Sequence, residues 1–498
     1  MEKYHRYTLY LLGVSTVVRL FLANALEFGN DEVYYWLYAK YPALSHFDHP
    51  GFVGLFIQFF TGNLWWETEL AVRLAAVIPA TIAMYVVFLM GAMLRDEQTG
   101  FVAVILYNLS IYGGIIAGIF ILPDAPLVLF WLLACYFFMK SIPYEPNKTN
   151  RRFMVLGLFF TGCAMYSKYQ AVFLLVGLFA YLLIYNREWL RQAAVYLGLL
   201  FPVVAIGLVG YWNFENDFIS YRFHGDRVSL LSAEFNGTTF GRELLGQVLY
   251  SNPYVFVILL LTMLALRKKR LVLNHQYTRI FMCFALPLVL VSLYLSMFRP
   301  TLPHWSGVAY LTLIPLLAFY IVSKAISIRK LGIGLATFYV LLIVASITIN
   351  TGWLLPDPKV ETPELAGRRD ALMDMYGWKQ VGRKLEQFFK EEQLTELPIV
   401  SDKWFPAAHI DYYVAHPLGM KVYGLGNLRD IHKYYWINKE YEALDLQRVL
   451  YITDSRNFRR PSEIYSHLYQ RMECLVVLPV LRNGRTVKNV FVYQLIKE

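Results

Sequence analysis

Four cysteines in 498 residues (Cys135, Cys163, Cys283 and Cys474) are too few for a disulfide framework, and no CxxC or Cys/His pair suggests a zinc site. Three of them lie inside apolar runs, where cysteine serves as a small hydrophobe. Charge is scarce too. Asp, Glu, Lys and Arg make up 16% of the chain, against about 25% in soluble domains. That scarcity excludes a water-soluble fold for most of the length. No glycine-rich phosphate loop, internal repeat, low-complexity segment or nucleic-acid motif is present. What the chain has in abundance is apolar surface: 57% hydrophobic residues, with 37 Tyr, 35 Phe and 11 Trp, which excludes intrinsic disorder.

A bilayer core of about 30 Å needs about 20 apolar residues per helix. Runs of that kind fall at 8–26, 71–93, 99–120, 125–142, 153–166, 169–185, 193–213, 246–266, 278–298, 306–323 and 331–352, which predicts eleven transmembrane helices. Tyr166-Ser167-Lys168-Tyr169 splits 153–185 into two. The first run has no small-residue cleavage site after it and reads as an anchor rather than a signal peptide. Thirteen basic residues fall in the five short loops on the N-terminal side, against six in the longer loops opposite. The positive-inside rule therefore predicts the N-terminus inside.

From about residue 355 the composition changes. Pro356 and Pro358 end the last helix, and residues 355–498 hold 21 basic and 19 acidic side chains. A helix at 377–392, strands near 398–400, 447–453, 474–480 and 489–496, and a turn at Arg482-Asn483-Gly484 predict a small α/β domain on the outer face. The expected division is thus 1–354, a transmembrane domain with outer loops 27–70 and 214–245, and 355–498, a soluble domain.

Ionisable groups at a membrane are costly and point to function. Here they collect in the outer loops: Asp31-Glu32 with Tyr34-Tyr35-Trp36; His46-Phe47-Asp48-His49-Pro50; Pro123-Asp124-Ala125-Pro126; Lys168; His224-Gly225-Asp226-Arg227; and Arg299 with His304-Trp305. A carboxylate there can act as general base. Cations and imidazole N–H groups can stabilise a departing phosphate, and Tyr35 or Trp305 can stack on a sugar face. Each residue also has a structural role open to it: Asp31 and Asp124 as helix caps, Glu32 as a complement to a helix dipole, Lys168 as a snorkelling cation, Arg227 as a solvated loop charge. Arg19, inside the first apolar run, needs a polar partner or a cavity.

Together, Asp31-Glu32 after the first helix, the Tyr-Tyr-Trp run, Asp48-His49-Pro50, Pro123-Asp124-Ala125-Pro126, Ser167-Lys168-Tyr169 and His304-Trp305 resemble, in order, the membrane glycosyltransferases of the GT-C superfamily. The closest likeness is to the branch of protein O-mannosyltransferases and lipid A aminoarabinose transferases, over about 1–352. The resemblance implies an inverting hexosyl- or pentosyltransferase in a bacterial inner membrane, with its active site facing the periplasm. Its donor would be a sugar on a polyprenyl phosphate such as undecaprenyl phosphate, and its acceptor a lipid, including lipid A, or a protein. Asp31 maps onto the base, with Glu32 and Asp124 as the other acidic positions. Lys168, Arg299, His49, His304 and Arg227 would hold the donor phosphate; Asp48, Tyr35 and Trp305 would position sugar or acceptor. In aminoarabinose transferases a Lys often stands where this chain has His49, which shifts weight to Lys168 and Arg299. No nucleotide cofactor is implied, and a divalent cation at Asp31, Glu32, Asp48 and His49 stays open because their spacing carries no ligand signature. The competing reading is a secondary transporter with a polar outer-face site; such proteins place polar groups near the midplane and show repeats.

Overall fold

The structure, a computed structural model, describes residues 2–229, 234–269, 271, 273–355, 362–368, 370–441 and 446–497. Pro356 and Pro358 lie outside the described residues. The chain forms two compact units: residues 1–23 with 43–340, and residues 24–42 with 341–498.

The first unit is helical. Its helices are α1 (Glu2–Ala25, whose last residues belong to the second unit), α3 (Phe52–Thr61), α4 (Glu69–Leu94), α5 (Glu97–Leu109), α6 (Asp124–Ser141), α7 (Lys148–Ser167), α8 (Val172–Tyr185), α9 (Ala193–Glu215), α10 (Ile219–Val228), α11 (Gly237–Ser251), α12 (Pro253–Arg267), α13 (His275–Ser296), α14 (Gly307–Ser323) and most of α15 (Ile328–Thr351). Among the described residues seven helices are long and apolar enough to cross a membrane, eight if α11 and α12 count as one bent span. All eleven predicted segments contain helix, but 99–120, 153–166 and 169–185 do not meet that length and apolarity. The segment predicted at 99–120 stops at Leu109 and resumes as a wide π-helical turn at Tyr112–Ile116. The predicted helix 246–266 is bent by 99°. Asn252 sits at the bend with φ of 72°, its amide donating to the Leu109 carbonyl and its oxygen accepting from Tyr254 N–H. Two breaks were expected to be loops and instead contain helices, α3 within 27–70 and α10 within 214–245.

Arg19 finds its partner inside this unit. Its guanidinium donates to Asn108 Oδ1 at 2.9 Å and approaches the Gly114 carbonyl at 3.4 Å, so it ties α1 to the π-helical turn. A buried cation in apolar surroundings requires such acceptors.

The second unit is an α/β fold. Strands β1 (Ile399–Ser401), β2 (Val422–Gly424), β3 (Arg448–Asp454), β4 (Arg471–Arg482) and β5 (Arg485–Ile496) form one sheet in the order β2-β1-β3-β5-β4. The β2-β1-β3 half is parallel, with Ile399 opposite both Val422 and Leu450; β5 pairs antiparallel with β3 and β4. The predicted turn at Asn483-Gly484 closes the β4–β5 hairpin, both residues at positive φ as a tight hairpin requires. Helix α16 (Trp378–Glu391) starts where the Glu27 carboxylate accepts from the Trp378 and Lys379 N–H groups at 2.6 and 3.2 Å.

Glu27 marks a difference from the expected boundary near 354. Residues 24–42 belong to this unit, because α2 (Asn30–Lys40) is buried from Glu32 to Ala39 and packs on α17 (Trp404–Ile410). Tyr34 meets the Trp404 ring at 4.9 Å, Trp36 meets Tyr412 at 5.1 Å, and Lys40 pairs with Asp411 at 2.9 Å. Such an aromatic face is too apolar to stay in water as a loop.

Candidate active site

Six of the residues singled out from sequence come together in the helical unit. Lys168 leaves α7 in an extended conformation (φ −159°, ψ 141°), which turns its side chain out of the helix ladder. Its ammonium donates to Asp124 Oδ1 and Oδ2 at 2.9 and 2.8 Å, and both residues are 2% exposed. Asp124 opens α6 as its first helical residue, behind Pro123. Its Oδ1 also accepts from the Tyr112 hydroxyl at 2.7 Å. The π-helical turn brings Tyr112 to that position, and a side chain on Gly114 would strike the Asn108 carbonyl at 2.5 Å. Asp124 is therefore an anchor for Lys168 rather than a cap.

His49 and His304 both stand within electrostatic reach of the Lys168–Asp124 pair. The loop carrying Asp48 and His49 is closed by a bridge between Ser45 and Pro50 and by the Tyr166 hydroxyl, which donates to the Leu44 carbonyl at 2.7 Å. Gly51 follows because a Cβ there would meet the Ala43 carbonyl at 2.6 Å. Burial pushes the His49 imidazole down to about 3; Asp48 and Asp124 oppose that shift, while Lys168 and His224 add to it. His224, on α10, is also shifted down by burial, against the bond from its Nε2 to the Asp48 carbonyl at 2.9 Å. Both rings are therefore neutral at pH 7, each with one N–H to donate and one nitrogen to accept. An ammonium has three donors, of which Asp124 takes two. The arrangement leaves Lys168 one N–H, flanked by neutral imidazoles, for an anionic oxygen.

The other predicted residues are placed differently. Arg299 donates from Nε to the Ser229 carbonyl at 2.8 Å. Arg227 is exposed, its guanidinium 4.6 Å from the Phe223 ring centre. Trp305 is half-buried in a 3-10 turn. Asp31, Glu32 and Tyr35 belong to the second unit. Asp31 is exposed on the first turn of α2, which begins at Asn30 with Gly29 as its cap residue. The buried Glu32 turns back so that its Oε2 accepts from the Gly29 N–H at 3.1 Å, which ties down the helix start from one side. Tyr35 is buried among Tyr34 and Tyr38. Among the described residues no group of three or more His, Cys, Asp or Glu side chains could hold a metal ion, so the divalent-cation alternative finds no ligand cluster there.

Sequence reasoning missed Tyr112 and Glu243. Glu243, 1% exposed on α11, accepts from the Thr301 hydroxyl at 2.7 Å and from Gln247 at 2.8 Å, and Gln247 accepts from the Tyr310 hydroxyl at 2.6 Å. The signal for it was the Glu243–Gln247 spacing of four, which puts both on one helix face. For Tyr112 it was the Gly113-Gly114 pair, which interrupts the apolar run.

These features belong to a multi-pass helical membrane protein. Residues 48–212 match the family model of dolichyl-phosphate-mannose-protein mannosyltransferases. The chain is similar along its whole length to the crystal structure of ArnT from Cupriavidus metallidurans bound to undecaprenyl phosphate: TM-score 0.65 and 15% identity over 98% of each chain. The apo state of the same ArnT gives 0.63 and 14%, again over 98% of each chain. No curated protein matches the chain by sequence.

Proposed function

We propose that this protein is an inverting glycosyltransferase that moves a sugar from a polyprenyl phosphate to an acceptor on the outer, periplasmic face of a bacterial inner membrane. The observation that supports it best is the buried Lys168–Asp124–Tyr112 arrangement flanked by His49 and His304, a preorganised set of donors suited to an anionic leaving group. The undecaprenyl phosphate held by the similar ArnT gives that leaving group a chemical identity.

In the proposed reaction Asp31 takes the proton of an acceptor hydroxyl or amine. The acceptor atom attacks the anomeric carbon from the face opposite the phosphate. The bond from that carbon to the phosphate oxygen breaks, its electron pair stays on the oxygen, and polyprenyl phosphate departs with the anomeric centre inverted. Lys168 stabilises the growing charge, with Asp124 and Tyr112 holding it in place; His49, His304 and Arg299 supply further donors. Asp48, Tyr35 and Trp305 position sugar or acceptor. Glu32 fixes the turn that carries Asp31. The role of Asp31 rests on the sequence resemblance, that of Lys168 on its geometry. The two structural units correspond, in this reading, to a catalytic membrane domain and an outer domain.

The test is binding of undecaprenyl phosphate to the purified chain in nanodiscs, followed by transfer from an undecaprenyl-phosphate sugar to lipid A or peptide acceptors. Saturable binding abolished by Lys168→Ala is expected. Binding unaffected by that change would remove the donor assignment.

A further inference from the structure

The parallel half of the sheet in the second unit has a feature that the transfer reaction does not use. β1 lies between β2 and β3. The chain leaves β1 towards β2 on one side, whereas it leaves β3 towards β4 at the far edge. The carboxyl ends of β1 and β3 therefore diverge, which is the switch point where open α/β sheets hold ligands. A cavity of about 320 Å³ opens there, lined by Ser401–Lys403 after β1 and by Tyr451–Thr453 and Ser455–Arg459 at the end of β3. That volume is at the lower end of small-molecule sites, about 300–1,000 Å³.

Its lining is strongly polar. Four cations (Arg368, Lys403, Arg456 and Arg459) face two carboxylates (Glu364 and Asp402). Arg459 is paired with Asp402, and Arg456 with Asp374 behind the wall. Arg368 and Lys403 have no ion-pair partner among the described residues, and Arg456 Nε is buried without an acceptor. The walls are held rigidly. Ser455 donates from Oγ to the Ala366 carbonyl at 2.6 Å, and the Asn457 N–H donates to Asp454 Oδ1 at 3.0 Å. With the two ion pairs formed, Arg368 and Lys403 face only Glu364, so the pocket keeps a net positive charge, and Arg456 Nε still lacks an acceptor; an anion with several acceptor oxygens, as on a phosphate monoester, suits such a lining.

We propose that this pocket is a binding site for a phosphate monoester, separate from the Lys168 cluster, with Arg368 and Lys403 as its principal charge partners. Such a group can arrive on a soluble metabolite or on a lipid headgroup. The pocket recognises the same dianion in either case, and it gives the second unit a ligand of its own.

The experiment is hydrogen–deuterium exchange of the full chain in phosphatidylcholine nanodiscs. One arm adds glycerol 3-phosphate; the other replaces part of the lipid by phosphatidate. Exchange at Ser401–Lys403 and Ser455–Arg459 should slow about tenfold when ligand is about ten times its Kd. The Arg368→Gln/Lys403→Gln double variant should lose that protection, Lys403→Arg should keep it, and Lys168→Ala should keep it because its phosphate contact lies elsewhere. Protection in the first arm assigns a soluble ligand, and protection only in the second a headgroup. No protection in either arm, or equal protection in the double variant, overturns the site.

Discussion

Asp124 and Asp31 are both carboxylates in the first turn of a helix, yet their surroundings give them opposite characters. Asp124 is 2% exposed, and both its oxygens are committed to the Lys168 ammonium and the Tyr112 hydroxyl. Asp31 stands in the other unit, exposed on α2, with the capping of that helix done by its neighbour Glu32. A carboxylate locked between two donors is a poor proton acceptor and a good strut. An exposed one is open to solvent.

The comparison breaks most visibly at Lys168. Removing the ammonium leaves Asp124 buried without counter-charge, a change worth about 3–5 kcal/mol. Lys168→Ala should therefore lower thermal stability in nanodiscs by several degrees and abolish sugar transfer. Adding Asp124→Asn should restore part of the stability and none of the activity. If the double variant recovers transfer, Lys168 is only a structural counter-ion.

Asp31→Asn tests the other side. Loss of a positioned general base costs about 10²–10⁴ in rate, and the melting temperature should move far less than in Lys168→Ala, because the side chain is exposed. Transfer at the wild-type rate by a folded Asp31→Asn protein would take the base role away from this residue.

An effect spread over several pH units separates buried from exposed groups. The folded pKa of His49 lies well below the unfolded value of about 6.5. Below pH 6.5 the unfolded chain therefore binds a proton that the folded chain does not. Stability falls as pH drops from about 6.5 towards 3, with a slope of about 1.4 kcal/mol per pH unit for one such group. His224 acts in the same direction. Acid unfolding followed by tryptophan fluorescence should show a shallower slope for His49→Gln. An unchanged slope would mean that His49 is already protonated in the folded protein.

How far the sequence revealed these places depends on the distance over which each is determined. The helix break at Lys168 and the gathering of Asp48, His49, Asp124 and His304 follow from local pattern, since a charged residue in an apolar run has few places to go. The hairpin at Asn483-Gly484 and the long strands β4 and β5 are local as well. β2 is three residues long, too short for any period to show. The assignment of α2 to the second unit depends on Trp404, Tyr412 and Asp411, nearly four hundred residues away in sequence. The sharp bend at Asn252 needs the Leu109 carbonyl to receive its amide. Tyr112 reached Asp124 only because a π-helical turn widened the backbone around Gly113-Gly114, and no side-chain periodicity reports such a turn.

Arg227 gives the smallest and sharpest test, because sequence grouped it with Lys168 as a phosphate ligand while the structure leaves it at the surface. Its guanidinium packs over Phe223, whose ring meets Phe47 at 4.5 Å in the loop that carries His49. An exposed cation–π contact is worth about 0.5–1 kcal/mol. Arg227→Ala should therefore cost that much stability and weaken undecaprenyl phosphate binding by no more than about threefold, through a slight loosening of the Phe47 loop. Arg227→Lys should recover part of the stability, since an ammonium also attracts the ring face. Titration of the lipid into nanodiscs, read beside Lys168→Ala, separates the two cations. A loss for Arg227→Ala as large as that for Lys168→Ala would mean that α10 folds over the donor phosphate, and the contrast between buried and exposed partners would no longer sort the site.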